Sequence, residues 1–146
     1  MSKHGQIQNE IKSLGEQPSE NRKLDTENKL MLIRSLVHAA DICNSSRPFA
    51  IAKLWAESLF CEFFAQGDKE KALGLEVTYL CDRNQFNFAQ SQIGFLQFVT
   101  LPYFKVISSV LPKVQEQVDE QSKNVEQYKT QVEEYETYLK EGNKRF

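Results

Sequence analysis

Asp41 is the residue whose type and position most strongly indicate chemistry. It lies near the predicted C-terminal end of a helix, among Ala39, Ala40 and Ile42. The helix dipole disfavours an anion at that end, and burial among apolar side chains disfavours a carboxylate further. A positive group should therefore face Asp41, and the residues alone favour an ion pair with a Lys or Arg.

His38 precedes Asp41 by one helical turn and shares its face of the helix. Two side chains do not complete a metal site, and the other histidine of the chain, His4, belongs to a different predicted helix. We therefore interpret His38 as a hydrogen-bonded core residue. Any metal ion would need ligands from another chain.

Gln92 and Phe95 are three positions apart in a predicted helix, so their side chains project together. An amide offers a donor and an acceptor, which suits the edge of a purine, and an aromatic ring one turn away can stack on the plane of the base. Taken alone, the pair has little specificity, because a helical Gln is usually solvated and a Phe usually belongs to the core.

Apolar periodicity predicts three helices in the first half of the chain, which position these residues. The first ends at Gly15, the second begins at Asp25 or Thr26, and the third begins near Phe49 and stops at Gly67. The apolar positions of the first helix are Ile7, Ile11 and Leu14. Those of the second are Leu30, Ile33, Val37 and Ala40, and those of the third are Ile51, Trp55, Leu59 and Phe63.

Residues 75–87 are predicted to form a loop, and residues 88–111 are apolar on nearly all sides, which is typical of a buried helix. Pro102 should kink or divide this helix because it lacks a backbone N–H.

The segment after Pro112 has the pattern of a long helix with a heptad seam. A straight helix over residues 113–141 would be about 40 Å long. Two interpretations stay open: the helix folds back along its own body, or it forms a coiled coil with a protein partner. The seam positions are Val118, Gln121, Val125, Tyr128, Val132, Tyr135 and Leu139.

Composition limits the class of protein. The 146 residues suffice for one domain, and a net charge of -2 gives no basic field that would attract nucleic acid or an anionic membrane. Three widely spaced cysteines form no CxxC pair, so neither a disulfide framework nor a thiolate zinc site is expected. No targeting or membrane-spanning segment is predicted, and we expect a cytoplasmic location, including a cytoskeletal or other large assembly.

Several short segments, in order and with consistent spacing, resemble the C-terminal third of a cyclic-nucleotide phosphodiesterase catalytic domain. The resemblance divides the chain into a partial catalytic domain at residues 1–112 and an extended helix at residues 113–146. It also implies that the first methionine falls inside the family's domain. The segments are Met1-Ser2-Lys3-His4, Leu36-Val37-His38-Ala39-Ala40-Asp41, Arg47-Pro48, Lys53-Leu54-Trp55, Glu62-Phe63-Phe64-Ala65-Gln66-Gly67-Asp68, Leu80-Cys81-Asp82-Arg83 and Ser91-Gln92-Ile93-Gly94-Phe95.

The resemblance implies an all-α fold, hydrolysis of a 3',5'-cyclic nucleotide such as cAMP or cGMP, and divalent metals (Zn or Mg). It makes Asp41 a metal ligand, and the family's remaining ligands and its general acid lie upstream of this sequence. The chain alone is therefore expected to retain no metal and to be inactive. The nucleotide-binding residues that the resemblance implies are Asn44, Trp55, Leu59, Phe63, Leu80, Gln92 and Phe95.

An alternative to this function is a degenerate phosphodiesterase-like module that docks in a larger protein assembly. In either case we expect a protein partner at the helix of residues 113–146 and at the apolar helix of residues 88–111. The resemblance also matches Asn124 and Tyr128 to a pair by which a terminal helix packs onto the catalytic body.

Overall fold

The computed structural model describes residues 4–17, 25–85 and 87–140, of which residues 85 and 135–140 are described by their backbone alone. Within these ranges the chain is helical and has no strand, which confirms the predicted all-α fold. α5 lies at the centre of the core, and α1 and α6 pack against it. The helices are α1 His4–Gly15, α2 Thr26–Asp41, α3 Phe49–Ala72, α4 Phe88–Phe95, α5 Leu101–Val110 and α6 Gln115–Lys140.

The ends of α1 and α2 agree with the sequence signals. α1 ends at Gly15, and Asp25 is the N-cap of α2, where its carboxylate accepts a hydrogen bond from the backbone N–H of Asn28 at 2.9 Å. A 3₁₀ turn over Cys43–Ser46 follows α2, and Pro48 precedes the first residue of α3.

The apolar stripe of α2 faces solvent, although such a stripe usually faces a core. Val37 is 67% exposed and Ile33 is 56% exposed, whereas the buried residues are Ser35 and Ala39. The Tyr103 hydroxyl of α5 donates a hydrogen bond to the Ser35 carbonyl at 3.2 Å. The described part of the chain therefore covers the side of α2 that carries Ser35 and Ala39, with Met31 packed against the same core, and leaves the apolar stripe exposed.

α3 does not stop at Gly67, as the sequence predicted, but continues to Ala72. Gly67 is buried, and a Cβ atom there would lie 2.1 Å from the carbonyl oxygen of Cys81. Gly67 therefore does not end the helix. Its missing side chain allows the loop that contains Cys81 to lie close against α3. Asp68, on the same turn, forms an ion pair with Arg83, and Lys71 forms one with Asp82 at 2.7 Å.

Residues 88–110 form one continuous helical segment that is divided as predicted. A π-helical turn over Leu96–Thr100 separates α4 from α5 and ends just before Pro102. The expectation of burial on nearly all sides was wrong for Phe98, which is 81% exposed. By length and composition alone, Phe88–Val110 is apolar enough to cross a membrane, a property that core helices of soluble proteins share.

α6 folds back along the body of the protein, which was one of the two open interpretations. Val118, Val125 and Tyr128 are at most 4% exposed and belong to the same core as α5. The expected partner-binding seam was therefore wrong for these three residues, because their own domain covers them. Val132 is partly buried against this core, and the side chains of Tyr135 and Leu139 lie outside the described residues.

Candidate functional site

A cleft of about 370 Å³ lies where the end of α2, the turn after it, α3 and α4 meet. The volume is at the lower end of the range that small-molecule sites occupy. Its wall is mainly apolar, with a few polar groups among the lining side chains. The lining residues are Asp41, Ile42, Asn44, Trp55, Ser58, Leu59, Glu62 and Phe95.

Helical periodicity explains why α3 contributes four residues to this cleft. Trp55, Ser58, Leu59 and Glu62 recur at spacings of three and four, so they share one face of the helix. A neighbouring face of α3 holds Ala52, Ala56 and Phe60, all at most 4% exposed.

α6 anchors the turn that carries Asn44, although α6 does not itself line the cleft. The Asn124 side-chain amide donates to the carbonyls of Ser45 at 2.9 Å and Arg47 at 2.8 Å. Gln121 donates to the Ser46 hydroxyl at 2.6 Å, and the Asn44 side-chain oxygen accepts from the Ser45 backbone N–H at 2.8 Å. The family resemblance matched Asn124 and Tyr128 to a pair that packs a terminal helix onto the catalytic body. In this structure the hydrogen bonds of Asn124 dock α6 onto the turn between α2 and α3.

The structure brings five of the eight predicted site residues to the cleft: Asp41, Asn44, Trp55, Leu59 and Phe95. Gln92 is 9% exposed and lies one turn before Phe95 in α4, but it does not line the cleft. Phe63 packs edge-on against Phe60, with ring centroids 5.5 Å apart. Leu80 lines a separate cavity and has a left-handed backbone conformation with φ of 71°.

Sequence reasoning missed Ile42, Ser58 and Glu62 as lining residues. The signal was present, because Ser58 and Glu62 follow Trp55 by three and seven positions and Ile42 directly follows Asp41. Helical spacing from Trp55 would have found the two α3 residues.

Asp41 is exposed at the mouth of the cleft, so the expected burial among apolar neighbours was wrong. It also forms no ion pair with a residue in the described ranges. Asp41 is the last residue of α2, and it is both exposed and part of the cleft lining.

His38 is hydrogen-bonded, as expected, and its partner is His4 of α1. The Nδ1 atom of His4 lies 2.8 Å from Nε2 of His38, and the Tyr103 ring stacks on His4 with centroids 4.7 Å apart. Burial, and to a smaller extent His38, lower the pKa of His4 below its ordinary value. The two rings thus connect α1 to α2 against α5.

The family resemblance implies divalent metals, and the donors among the described residues do not form such a site by themselves. Asp41 offers one carboxylate at the cleft, while Nε2 of His38 is already engaged with His4. Within the described residues no three His, Cys, Asp or Glu side chains are close enough together to hold a metal ion. Cys43, Cys61 and Cys81 are free in this structure.

Comparisons with known proteins agree on one family. A family model described as 3'5'-cyclic nucleotide phosphodiesterase matches residues 1–121. The dual specificity calcium/calmodulin-dependent 3',5'-cyclic nucleotide phosphodiesterase 1B of Rattus norvegicus is 41% identical over 107 residues, which cover 73% of this chain and 20% of the rat protein. The probable 3',5'-cyclic-AMP phosphodiesterase pde-4 of Caenorhabditis elegans is 32% identical over 134 residues, or 88% of this chain and 20% of that protein.

A solved structure, that of LmjPDEB1 in complex with IBMX, has the same fold, with a TM-score of 0.82 and 27% sequence identity. The match covers 91% of this chain and 40% of that chain. This chain spans about a fifth of the length of the curated relatives that it matches.

Proposed function

Because the chain belongs to the 3',5'-cyclic nucleotide phosphodiesterase family, we propose that it supplies the purine-binding wall of a catalytic domain of this kind. The cleft carries the proposal. Residues that are distant in sequence, from Asp41 to Phe95, converge on one apolar recess of a size suited to a small ligand.

In this proposal the base lies between aromatic and aliphatic side chains. Trp55, Leu59 and Phe95 offer apolar surfaces on which a purine can stack. Asn44 carries an amide for its polar edge, whereas Gln92 is buried one turn before Phe95 and does not line the cleft, so we assign it no contact with the base. Phe63 and Leu80 lie outside the cleft, so we assign them no contact with the base.

The metal-dependent half of the reaction is not assigned to this chain. Asp41 lines the cleft and suits one coordination position of a hard divalent cation such as Mg²⁺, but no group of three His, Cys, Asp or Glu side chains among the described residues could hold such an ion. We therefore propose that the 146-residue chain alone binds a cyclic nucleotide without hydrolysing it.

The alternative, a degenerate module that docks through its C-terminal helix, has less support from the packing. Val118 and Val125 would have formed the docking seam, but both are buried against α5 and its neighbours. A helix that is already covered by its own domain offers little apolar surface to a partner.

Ligand-observed NMR titration with cAMP, cGMP and IBMX tests the proposal. The compound IBMX is included because the matched solved structure binds it. We expect weak binding to the wild-type chain and a loss of about 5-fold or more in affinity for Phe95→Ala, since stacking of a base on an aromatic ring contributes about 1–3 kcal/mol. Incubation with cAMP should yield no 5'-AMP.

Phe98→Ala is the matched control. It removes the same side chain three positions further along the helical segment, where Phe98 is 81% exposed and does not line the cleft. Its affinity should equal that of the wild type. Absence of binding by the wild-type chain, or equal losses in the two variants, would refute the base-binding role.

A further inference from the structure

Two polar residues of α3, Ser58 and Glu62, line the cleft beside the apolar surfaces proposed for the base. Glu62 lies one turn beyond Leu59 and two turns beyond Trp55, about 10 Å along the helix axis from the latter. A base that packs on Leu59 can therefore direct one edge toward the Glu62 carboxylate.

Glu62 differs from Glu57 and Glu70 of the same helix because it has no protein partner. The Glu57 carboxylate lies 3.9 Å from the amino group of Lys53, and Glu70 accepts hydrogen bonds from the backbone N–H and the hydroxyl of Thr78 at 2.8 and 2.7 Å. Within the described ranges Glu62 forms neither an ion pair nor a side-chain hydrogen bond. An unpaired carboxylate on the wall of a cleft is available to a ligand that carries hydrogen-bond donors.

Ser58 and Glu62 both offer acceptors to the cleft. The Ser58 hydroxyl donates its hydrogen to the Leu54 carbonyl at 2.9 Å, which leaves only the lone pairs of its oxygen for a ligand. A carboxylate accepts hydrogen bonds and donates none. This wall of the cleft therefore complements a ligand edge that presents donors.

Guanine and adenine differ at this edge. Guanine carries two adjacent donors, N1–H and the 2-amino group, which match the two oxygens of one carboxylate. Adenine places the acceptor N1 beside its 6-amino donor, and that acceptor would face a carboxylate oxygen. Resting on the proposed function, we propose that Glu62 is a specificity-determining residue that selects a guanine base, so that the cleft prefers cGMP to cAMP.

The two predicted amides of the site do not decide between the bases. The Asn44 side-chain oxygen accepts a hydrogen bond from the Ser45 backbone N–H at 2.8 Å, so the amide nitrogen is the group left for a ligand. Both purines carry the acceptor N7, which an amide N–H can bind. Gln92 does not line the cleft, so the discrimination depends on the carboxylate.

Isothermal titration calorimetry of the full 146-residue chain with cGMP, cAMP and inosine 3',5'-cyclic monophosphate (cIMP) tests this role. The base of cIMP retains N1–H and the 6-oxo group of guanine and lacks only the 2-amino group. We expect the wild type to bind cGMP about 10-fold or more tightly than cAMP, with cIMP between them, since a bidentate contact discriminates between bases to this extent. Glu62→Gln should bring the three affinities within about 3-fold of one another, because an amide carries both a donor and an acceptor and can satisfy either edge.

Glu57→Gln is the matched control. It removes the same charge from the same helix, at an exposed position that does not line the cleft, and it breaks an exposed ion pair that contributes little to stability. Its preference for cGMP should equal that of the wild type. Each readout is a ratio of affinities within one variant, so a general loss of folded protein does not change it.

Four outcomes would overturn the role of Glu62. They are equal binding of cAMP and cGMP by the wild type, equal binding of cIMP and cGMP, a preference that Glu62→Gln retains, and a preference that Glu57→Gln loses. Binding of cyclic nucleotides with any of these outcomes would refute the role of Glu62 and leave the proposed function standing. Absence of binding by all three nucleotides would refute the base-binding function and the role of Glu62 together.

Discussion

Gly67 shows how one residue sets the path of the chain. Its missing side chain leaves space for the carbonyl of Cys81, and the ion pairs of Asp68 with Arg83 and Lys71 with Asp82 hold the same loop against α3. From the sequence, a glycine after an apolar helix is a stop signal. Only the three-dimensional position of Cys81 shows that Gly67 is needed for the close contact between α3 and the loop.

Gly67→Ala should lower the free energy of unfolding by about 2 kcal/mol or more, since the new Cβ would overlap a backbone oxygen that cannot turn away. Gly94→Ala is the control, because Gly94 is also helical and a Cβ there would meet no atom within 4 Å. That substitution should be neutral or stabilising by up to about 1 kcal/mol. Urea unfolding followed by circular dichroism measures both, and equal effects would contradict the close approach.

His4 predicts a dependence of stability on pH. Its pKa is lowered in the folded chain by burial, and to a smaller extent by His38, so the unfolded chain takes up a proton more readily. The free energy of unfolding should therefore fall as the pH drops below about 6.5. Tyr103, which stacks on the ring, stays protonated in this range because burial raises its pKa.

His4→Gln removes this titration, and the variant should lose less stability than the wild type between pH 7.5 and pH 5.5. Glu70 and Asp82 do not interfere, because hydrogen bonds from Thr78 and Lys71 lower the pKa values of these carboxyl groups, which titrate in more acidic solution. Parallel urea series at the two pH values give the comparison. If the free energy of unfolding changes by the same amount between the two pH values in the wild type and in His4→Gln, the protonation of His4 is not coupled to folding.

At the scale of elements, α6 is the part that holds the cleft together. Asn124 satisfies two carbonyls of the turn between α2 and α3, and Tyr128 packs edge-on against Phe49 at the start of α3 with ring centroids 4.9 Å apart. Burial, with Glu57 as a further cause, raises the pKa of Tyr128 to about 12, so its ring stays uncharged in the core at ordinary pH.

Asn124→Ala should lower the free energy of unfolding by about 1–3 kcal/mol, because two hydrogen bonds are lost and the buried carbonyl of Ser45 is left without the Asn124 donor. It should also weaken cyclic-nucleotide binding, since the turn that carries Asn44 loses its anchor. Lys123→Ala, which breaks only an exposed ion pair with Glu120, should change stability by less than about 1 kcal/mol. Thermal unfolding of the two variants, measured side by side, tests this expectation. Equal stability of the two variants would show that the docking of Asn124 contributes nothing to the stability of the fold.

Several ends of the elements, though not the end of α3, were predictable because local chemistry determines them. Asp25 caps α2, Pro102 follows the π-helical turn and Pro112 begins the turn before α6, and each acts within a few residues of itself. The buried faces were not predictable in this way. An apolar stripe shows that Val37 and Trp55 need cover, but it does not show whether the described part of the chain provides that cover.

At the scale of the whole molecule, the core could be predicted from the pattern of apolar residues, whereas the cleft could not. The core of α5 and α6 follows from apolar composition and heptad spacing. The cleft could be predicted only from the family resemblance, because Asn44, Leu59 and Phe95 have no chemistry of their own that would have connected them. The burial of Asp41 was mispredicted because a helix end near alanines can equally border open solvent.

The exposure of Trp55 has an optical consequence. It is the single tryptophan of the chain, and it is 60% exposed on the wall of the cleft. Its emission in the native state should therefore already be close to that of an indole in water, so that denaturation changes the spectrum little. The same fluorophore should shift to shorter wavelength when a ligand or another protein surface excludes water from the cleft, which makes intrinsic fluorescence a local reporter of occupancy.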